Sequence, residues 1–240
     1  MDKNFSINNM KKVPLTAWEA LTGVKLTKHC TGKMKGLWAI NTSMKINPLC
    51  QVLARHEDYI CSSCYANQYL AFRKSAGIRF EENFKKLTEK VFDIVPDIEN
   101  EMYGMEKKIF RIEMYGDVYN ENQIVNYLML AIFNPGVTFG WWTKHINMVQ
   151  NVLTKTGLTI PANLSMVHSS IKLNVPSTLY SPGEGIVDHV FTVYTSKFAD
   201  ENNMETNCAA MSCYDCQRCY RKGGDFYINE LLKKTGGHKI

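Results

Sequence analysis

The chain has 240 residues, 45% of them hydrophobic, with 28 Lys and Arg against 23 Asp and Glu and a formal net charge of +5. That length and apolar content can bury a full core, so a small disulfide-stapled scaffold is excluded as the organising principle. The basic surplus is spread thinly and reads as a solvated face, compatible with an anionic ligand or nucleic acid without demanding either.

No low-complexity tract, repeat or Pro/Gly/Ser linker divides the chain, so a single domain, 1–240, is expected, with its core at 35–200. The start, Met1 to Lys12, is polar and lacks the apolar region of a signal peptide, and no apolar run approaches the roughly 18 residues of a membrane span. The expected location is the cytoplasm, where thiols stay reduced. Lys35 to Ser43 (KGLWAINTS) predicts a strand, and Ala66 to Ile94 predicts one or two helices, with Phe80, Phe84, Leu87 and Val91 at helical spacing. Lys108 to Met114 (KIFRIEM) predicts a strand that runs into Gly116-Asp117, followed by a helix from Asn122 to Phe133 that Asn134-Pro135 ends. Val137 to Thr143 predicts a strand, Ile146 to Leu153 a helix, and Leu164 to Val167 and Val190 to Tyr194 two more strands. Strands separated by helices imply parallel crossovers. The expected fold is α/β, a partial, open β/α barrel of about five or six parallel strands, too few to close an eight-stranded barrel.

In parallel α/β folds the C-terminal strand ends form the ligand-binding face. Here each predicted strand finishes in polar residues: Asn41-Thr42-Ser43, Glu113 with Asp117, Thr143-Lys144-His145, His168-Ser169-Ser170 and Thr195-Ser196-Lys197. An ordinary polar turn explains most of these, but it explains Glu113, inside an apolar run, least well. Glu113 and Asp117 are therefore candidate catalytic residues, and Thr143, Lys144, His168 and Ser169 candidate ligand contacts. Trp38, Trp141 and Trp142 could wall a dry pocket, although core packing accounts for them more simply. Arg73, Lys74 and Lys144 could neutralise a carboxylate or phosphate.

The cysteines carry the sharpest signal. Cys208, Cys213, Cys216 and Cys219 lie in one short loop, 205–222, and Cys50 precedes the pair Cys61-x-x-Cys64. Such spacing lets one loop wrap several sulfurs around one centre with little closure entropy. Two C-x2-C pairs are also how a tetrahedral zinc site is built, so zinc is the alternative metal. One four-cysteine and one three-cysteine cluster would use all seven sulfurs, which favours iron and sulfur. Cys30, with no partner nearby in sequence, reads as a bystander.

The segments LWAINTSMKINPLC, CSSCYANQYLAFRK, FRIEMYGDVYNENQIVNYLMLAIFNPGVTFGWWTK and NCAAMSCYDCQRCY, in that order over roughly Leu37 to Tyr220, resemble the phage-encoded family catalogued as gene product eighty-eight. The resemblance implies a phage origin, hence the host-cell cytoplasm, and a metal-binding role. More distantly, a three-cysteine motif after the first strand and a second strand running into a Gly and an acid resemble radical SAM enzymes. Those enzymes have a partial β/α barrel, and three cysteines bind three irons of a 4Fe-4S cluster whose fourth iron S-adenosylmethionine chelates. By this resemblance Cys50, Cys61 and Cys64 match the cluster ligands, and Met114-Tyr115-Gly116-Asp117 matches the Gly-Gly-Glu segment that contacts the methionyl amine. Cys208, Cys213, Cys216 and Cys219 match the auxiliary cluster of some members.

The chain departs from that pattern in three places. Cys50 and Cys61 are separated by ten residues where the pattern has C-x3-C, Ser63 stands where an aromatic should precede the last cysteine, with Tyr65 following instead, and Tyr115 and Asp117 replace a Gly and a Glu. The implied function is radical chemistry on an unknown small-molecule or nucleic-acid substrate, fed by an electron donor. The alternative is a non-catalytic iron-sulfur or zinc protein. It would bind nucleic acid or a protein partner through a surface such as Tyr214, Arg218, Tyr220, Arg221 and Lys222.

Overall fold

The computed structural model describes residues 7–208 and 212–233, so 209–211 of the cysteine loop lie outside the described residues. In chain order the elements are β1 (Lys11–Val13), α1 (Leu15–Thr22), β2 (Trp38–Ile40), α2 (Pro48–Leu53), α3 (Tyr65–Phe72), α4 (Lys74–Glu89), β3 (Ile94–Pro96), α5 (Ile98–Glu101) and β4 (Ile109–Ile112). They continue with α6 (Glu121–Ile132), β5 (Thr138–Thr143), α7 (Ile146–Thr156), β6 (Leu164–Ser169), β7 (His189–Tyr194), α8 (Ser196–Glu201), α9 (Cys213–Cys216) and β8 (Tyr227–Leu231). No helix among the described residues is long and apolar enough to cross a membrane.

The fold is mixed α/β with two parallel sheets, a two-stranded one (β1-β3) and a six-stranded one ordered β2-β4-β5-β6-β7-β8. In the larger sheet every strand pairs parallel to its neighbour, and the order across the sheet never reverses. A doubly wound sheet would reverse and bind at the reversal; here every strand end points along one continuous edge.

The stretch from Ala66 forms two helices, one of the two forms expected, divided at Arg73, whose φ of −119° and ψ of 63° leave the helical region; the helix ends at Glu89, and Ile94 begins β3 instead. The sheet also reaches beyond 35–200, because β8 pairs with β7 from Val190↔Tyr227 to Tyr194↔Leu231. The cysteine loop is therefore held between two paired strands.

Local chemistry sets the element ends. Asn120 caps α6 by accepting from the Gln123 amide at 3.1 Å, and Gly157 ends α7 in the left-handed region at φ 71°. Side chains alternate across the sheet. Ile40, Phe110, Ile112, Phe139, Trp141 and Met166 join the helices in the main core. Ala39, Ile109, Trp142 and Val167 face the other way, into a second cluster that contains Tyr220 and Cys30 and is flanked by Cys213 and Cys219. This second face holds the candidate site.

Candidate functional site

At the C-terminal strand ends, the sequence Asn47-Pro48 starts α2 with a side-chain cap and a Pro in the first turn. The Asn47 Oδ1 accepts from the Leu49 amide at 3.0 Å, while its Nδ2 donates to the Asp117 carbonyl at 2.8 Å. One side chain thus ties the helix that carries Cys50 to the turn that carries Asp117. Cys61 lies in the short turn Ile60–Ser63, and Cys64 is the residue before α3. The Ile60 amide bonds to the Ile171 carbonyl at 2.9 Å and the Leu173 amide to the Asp58 carbonyl at 2.9 Å, pinning this segment to the loop after β6. Met44, Cys50 and Ala66 form a small apolar cluster flanked by Cys64 and Tyr115.

The turn after β4 is built tightly. A Cβ on Gly116 would lie 2.7 Å from the Thr42 carbonyl and 2.8 Å from a Glu113 carboxylate oxygen, so only glycine fits there. Tyr115 stacks on Tyr69 at 4.3 Å and on Phe80 at 5.4 Å, and the Tyr65 hydroxyl donates to the Met114 carbonyl. Asp117 is buried; its Oδ1 accepts from the Thr143 hydroxyl at 2.6 Å and the Val118 amide at 2.8 Å, and its Oδ2 from the Lys144 amide at 3.1 Å. Thr143 therefore acts behind the cavity, by fixing Asp117.

Glu113 sits at φ 57°, left-handed for a non-glycine residue, and is 2% exposed. Four donors hold it: Oε1 accepts from the Thr42 hydroxyl (2.6 Å), the Gln123 side-chain amide (2.9 Å) and the Tyr127 hydroxyl (2.6 Å), and Oε2 from the Thr42 backbone amide (3.0 Å). Burial pushes its carboxyl up to about 7 against these stabilising bonds. Its geometry joins the ends of β2 and β4 to α6.

Cys50, Cys61, Cys64, Tyr65, Glu113, Gly116, Asp117, Lys144 and Ser169 line one cavity of about 150 Å³. Burial raises the Cys50 and Cys61 thiols, and Asp117 adds to both shifts while Lys144 opposes them. Burial alone would lower the Lys144 ammonium, yet Cys61, Asp117, Cys50 and Cys64 outweigh it and raise it. Lys144 donates to the Ser169 hydroxyl at 3.3 Å.

Cys208, Cys213, Cys216 and Cys219 line a second cavity of about 210 Å³, nearer the strand starts. The loop docks through its aromatics. Tyr220 lies on Gly140, where a Cβ would come within 2.6 Å of the ring, and meets Trp142 edge-on at 5.3 Å. The Tyr214 hydroxyl accepts from the Lys107 amide at 3.1 Å. His189 holds the loop's return with Nδ1 at 2.7 Å from the Asp225 carbonyl and Nε2 at 2.8 Å from the Arg221 carbonyl. Lys33 Nζ lies 3.0 Å from Cys208 Sγ and 2.9 Å from Glu230 Oε1. Burial raises the Cys208 and Cys213 thiols and pushes Cys219 up to about 12.

The two cavities adjoin, sharing Tyr65, Arg111, Trp142, Phe191, Glu230 and Lys233 as a common wall. Donor type and number, three thiols in one cavity and four in the other, fit soft-metal ligation. Among the described residues, no three His, Cys, Asp or Glu side chains converge closely enough to hold one ion.

Several predicted contacts lie elsewhere. His168 turns to the other side of β6, where its ring meets Tyr180 at 4.7 Å; both ring nitrogens are buried without partners, and burial with the nearby Lys144 pushes it down to about 4. Trp38 and Trp141 belong to the main core, and only Trp142 walls the cavities. Thr195 caps α8 at 3.2 Å from the Phe198 amide, and Arg73 and Lys74 are exposed at the α3–α4 corner. Tyr220 is buried and Arg218 pairs with Asp225 at 2.9 Å, so these two belong to the loop's own anchoring. Asn47 and Arg111 were not anticipated, though Asn-Pro before an apolar run and an Arg inside KIFRIEM are signals the sequence carries.

No curated protein and no solved structure matches the chain. The family model described as Gene product 88 matches residues 6–237, nearly the whole length, and the chain belongs to that family.

Proposed function

We propose that this chain is a phage-encoded, radical-SAM-like iron-sulfur protein. Cys50, Cys61 and Cys64 would hold a 4Fe-4S cluster that binds S-adenosylmethionine, and Cys208, Cys213, Cys216 and Cys219 an auxiliary cluster. The substrate is unassigned, the electron donor is external, and the site of action is the host cytoplasm. The observation that supports this reading is that all seven thiols line two adjoining cavities on one face of a parallel sheet, the set of three beside Asp117. We read the sheet as an open β/α barrel, because its six parallel strands follow one another in chain order.

A cluster on three thiolates supplies, when bound, a low-potential electron and an iron without a protein ligand, the open position that metal catalysis requires. The chain's own residues then have distinct tasks. Lys144 offsets thiolate charge. Among the described residues Asp117 Oδ2 accepts only from the Lys144 amide and keeps lone-pair capacity for a ligand ammonium group. Tyr65, Trp142 and Phe191 give the cavity apolar walls that exclude water. Glu113, held by four donors, positions the turn that carries Asp117.

Anaerobic purification with iron, sulfide and zinc counts, followed by electron paramagnetic resonance with and without S-adenosylmethionine, tests the proposal. The expected result is brown protein with about eight irons per chain and a reduced-cluster spectrum that S-adenosylmethionine perturbs, less so in Asp117→Ala. Colourless protein with stoichiometric zinc and no sulfide overturns the iron-sulfur reading. Full iron with a spectrum silent to S-adenosylmethionine overturns the enzyme and leaves a closed cluster protein.

A further inference from the structure

The wall shared by the two cavities carries cations that the protein itself does not neutralise. Of the carboxylates lining the cavities, Glu113 is held by four donors and Asp117 by Thr143 and the Val118 and Lys144 amides, neither within ion-pair distance of a cation among the described residues, and Glu230 is paired with Lys33 at 2.9 Å. Arg218 is matched by Asp225 at 2.9 Å. On the shared wall itself, Arg111 and Lys233 have no carboxylate within ion-pair distance among the described residues.

Arg111 is the more constrained of the two. It projects from the middle of β4, half-buried, and its guanidinium lies over the Trp142 ring at 3.2 Å. Its Nε donates to the Glu113 carbonyl at 3.2 Å, its guanidinium also bears on the buried Tyr220 hydroxyl, and no carboxylate pairs with it among the described residues. Stacking on the indole, the Nε bond and the Tyr220 hydroxyl hold the guanidinium in one orientation, and with no carboxylate against it, it keeps donor capacity for a ligand. Lys33 is the cation bonded to a cysteine sulfur, at 3.0 Å from Cys208. A fixed, half-buried fork without a carboxylate is the geometry that binds carboxylate or phosphate oxygens in pairs. Beside it Tyr65, Trp142 and Phe191 present flat apolar surface, and Lys233 lies over the Tyr65 ring at 4.8 Å.

We infer that the shared wall is the binding site for an oxyanion-bearing ligand with a planar or apolar body, a carboxylate or phosphate monoester gripped by the Arg111 fork and stacked along Trp142. Placed there, the ligand touches both thiol-lined cavities at once. This deepens the proposed function by naming its substrate class, and it rests on reading the two cavities as one reactive site. The anion measurement and the metal counts are separate readouts, so either can fail alone.

The test titrates the anaerobically purified full chain with benzoate, phenyl phosphate, and the neutral isosteres benzamide and phenol, following tryptophan fluorescence and calorimetry. The expected result is binding of at least one anion, at least about tenfold tighter than its neutral isostere, a gap of about 1.4 kcal/mol. Whichever of benzoate and phenyl phosphate binds more tightly identifies the headgroup. Arg111→Gln should erase that preference, Arg111→Lys should retain part of it, and Trp142→Phe should remove the quenching. Equal binding of anion and isostere, no binding of either anion, or a preference that survives in Arg111→Gln overturns the site. If Arg111→Gln leaves binding unchanged and shifts only a cluster's reduction potential, Arg111 is a counter-charge and the site is overturned as well. Should Arg111→Gln fail to fold, the parent chain decides by its anion preference, and Trp142→Phe by the loss of the signal.

Discussion

Glu113 is a buried carboxyl whose protonation is linked to folding. Its folded value near 7 lies above the ordinary 4.5, so the protonated form is favoured in the native state. Stability from this group is fully present below about 4.5 and is lost as pH rises through about 7, a span worth about 3 kcal/mol. Thermal melts of the parent chain should therefore fall over that window, and Glu113→Gln, which carries no titrating proton, should flatten the fall. Identical pH slopes in the two proteins would sink the assignment. Asn47 is a different kind of residue, important for geometry alone. Asn47→Ala removes both the α2 cap and the bond to the Asp117 carbonyl, and should cost about 1–2 kcal/mol. In denaturant titrations a loss well below that would show that another group holds the Asp117 turn. Both side chains lie at strand or helix ends, where the sequence shows a polar residue but not which backbone it reaches.

At the scale of elements, the cysteine loop is a docked unit with little core of its own. It is anchored by Tyr220 on Gly140, Tyr214 on Lys107, and His189 on the Arg221 and Asp225 carbonyls of its return. Gly140→Ala puts a methyl group into the Tyr220 ring and should cost about 1–3 kcal/mol by overpacking. The expected signature is loss of metal from the downstream cysteines before global unfolding, and an unchanged melting curve and metal content would contradict it. Cys216→Ala should lose one cluster and loosen the same segment, because metal binding by short cysteine loops is coupled to their folding. Full iron and an unaltered melting temperature would remove Cys216 from the ligand set. That the loop is C-terminal and cysteine-rich is plain from the chain; that it lies against the sheet's second face depends on a glycine in mid-strand whose partner ring is far away in sequence.

Across the whole molecule, β8 closes the arrangement. It pairs with β7 over five residues, supplies Glu230 to Lys33 and Asn229 to the Cys208 amide, and so brackets the second cavity. A chain truncated after residue 225 should expose the β7 edge, lose the Lys33 clamp and aggregate or melt far below the parent. Size-exclusion chromatography and a thermal melt decide it, and a monomer of parental stability and metal content would show that β8 is dispensable.

By itself the sequence determined the parallel α/β class, since apolar runs of strand length alternate with amphipathic helices, and the two cysteine sets, since short spacing constrains sulfurs locally. The Asn47-Pro48 cap and the charge of Arg111 in an apolar strand are present in the chain, but nothing local assigned either of them a place in the site. Tertiary structure alone decided which face each residue serves. Trp141 and Trp142 are neighbours in sequence, yet one is core and the other wall, because successive side chains of a strand point to opposite faces. His168 and Ser169 divide in the same way, and only Ser169 reaches the cavity. The meeting of Cys50 with Asp117, and of Cys208 with Lys33 and Glu230, depends on contacts up to 197 residues apart, which local propensity cannot encode.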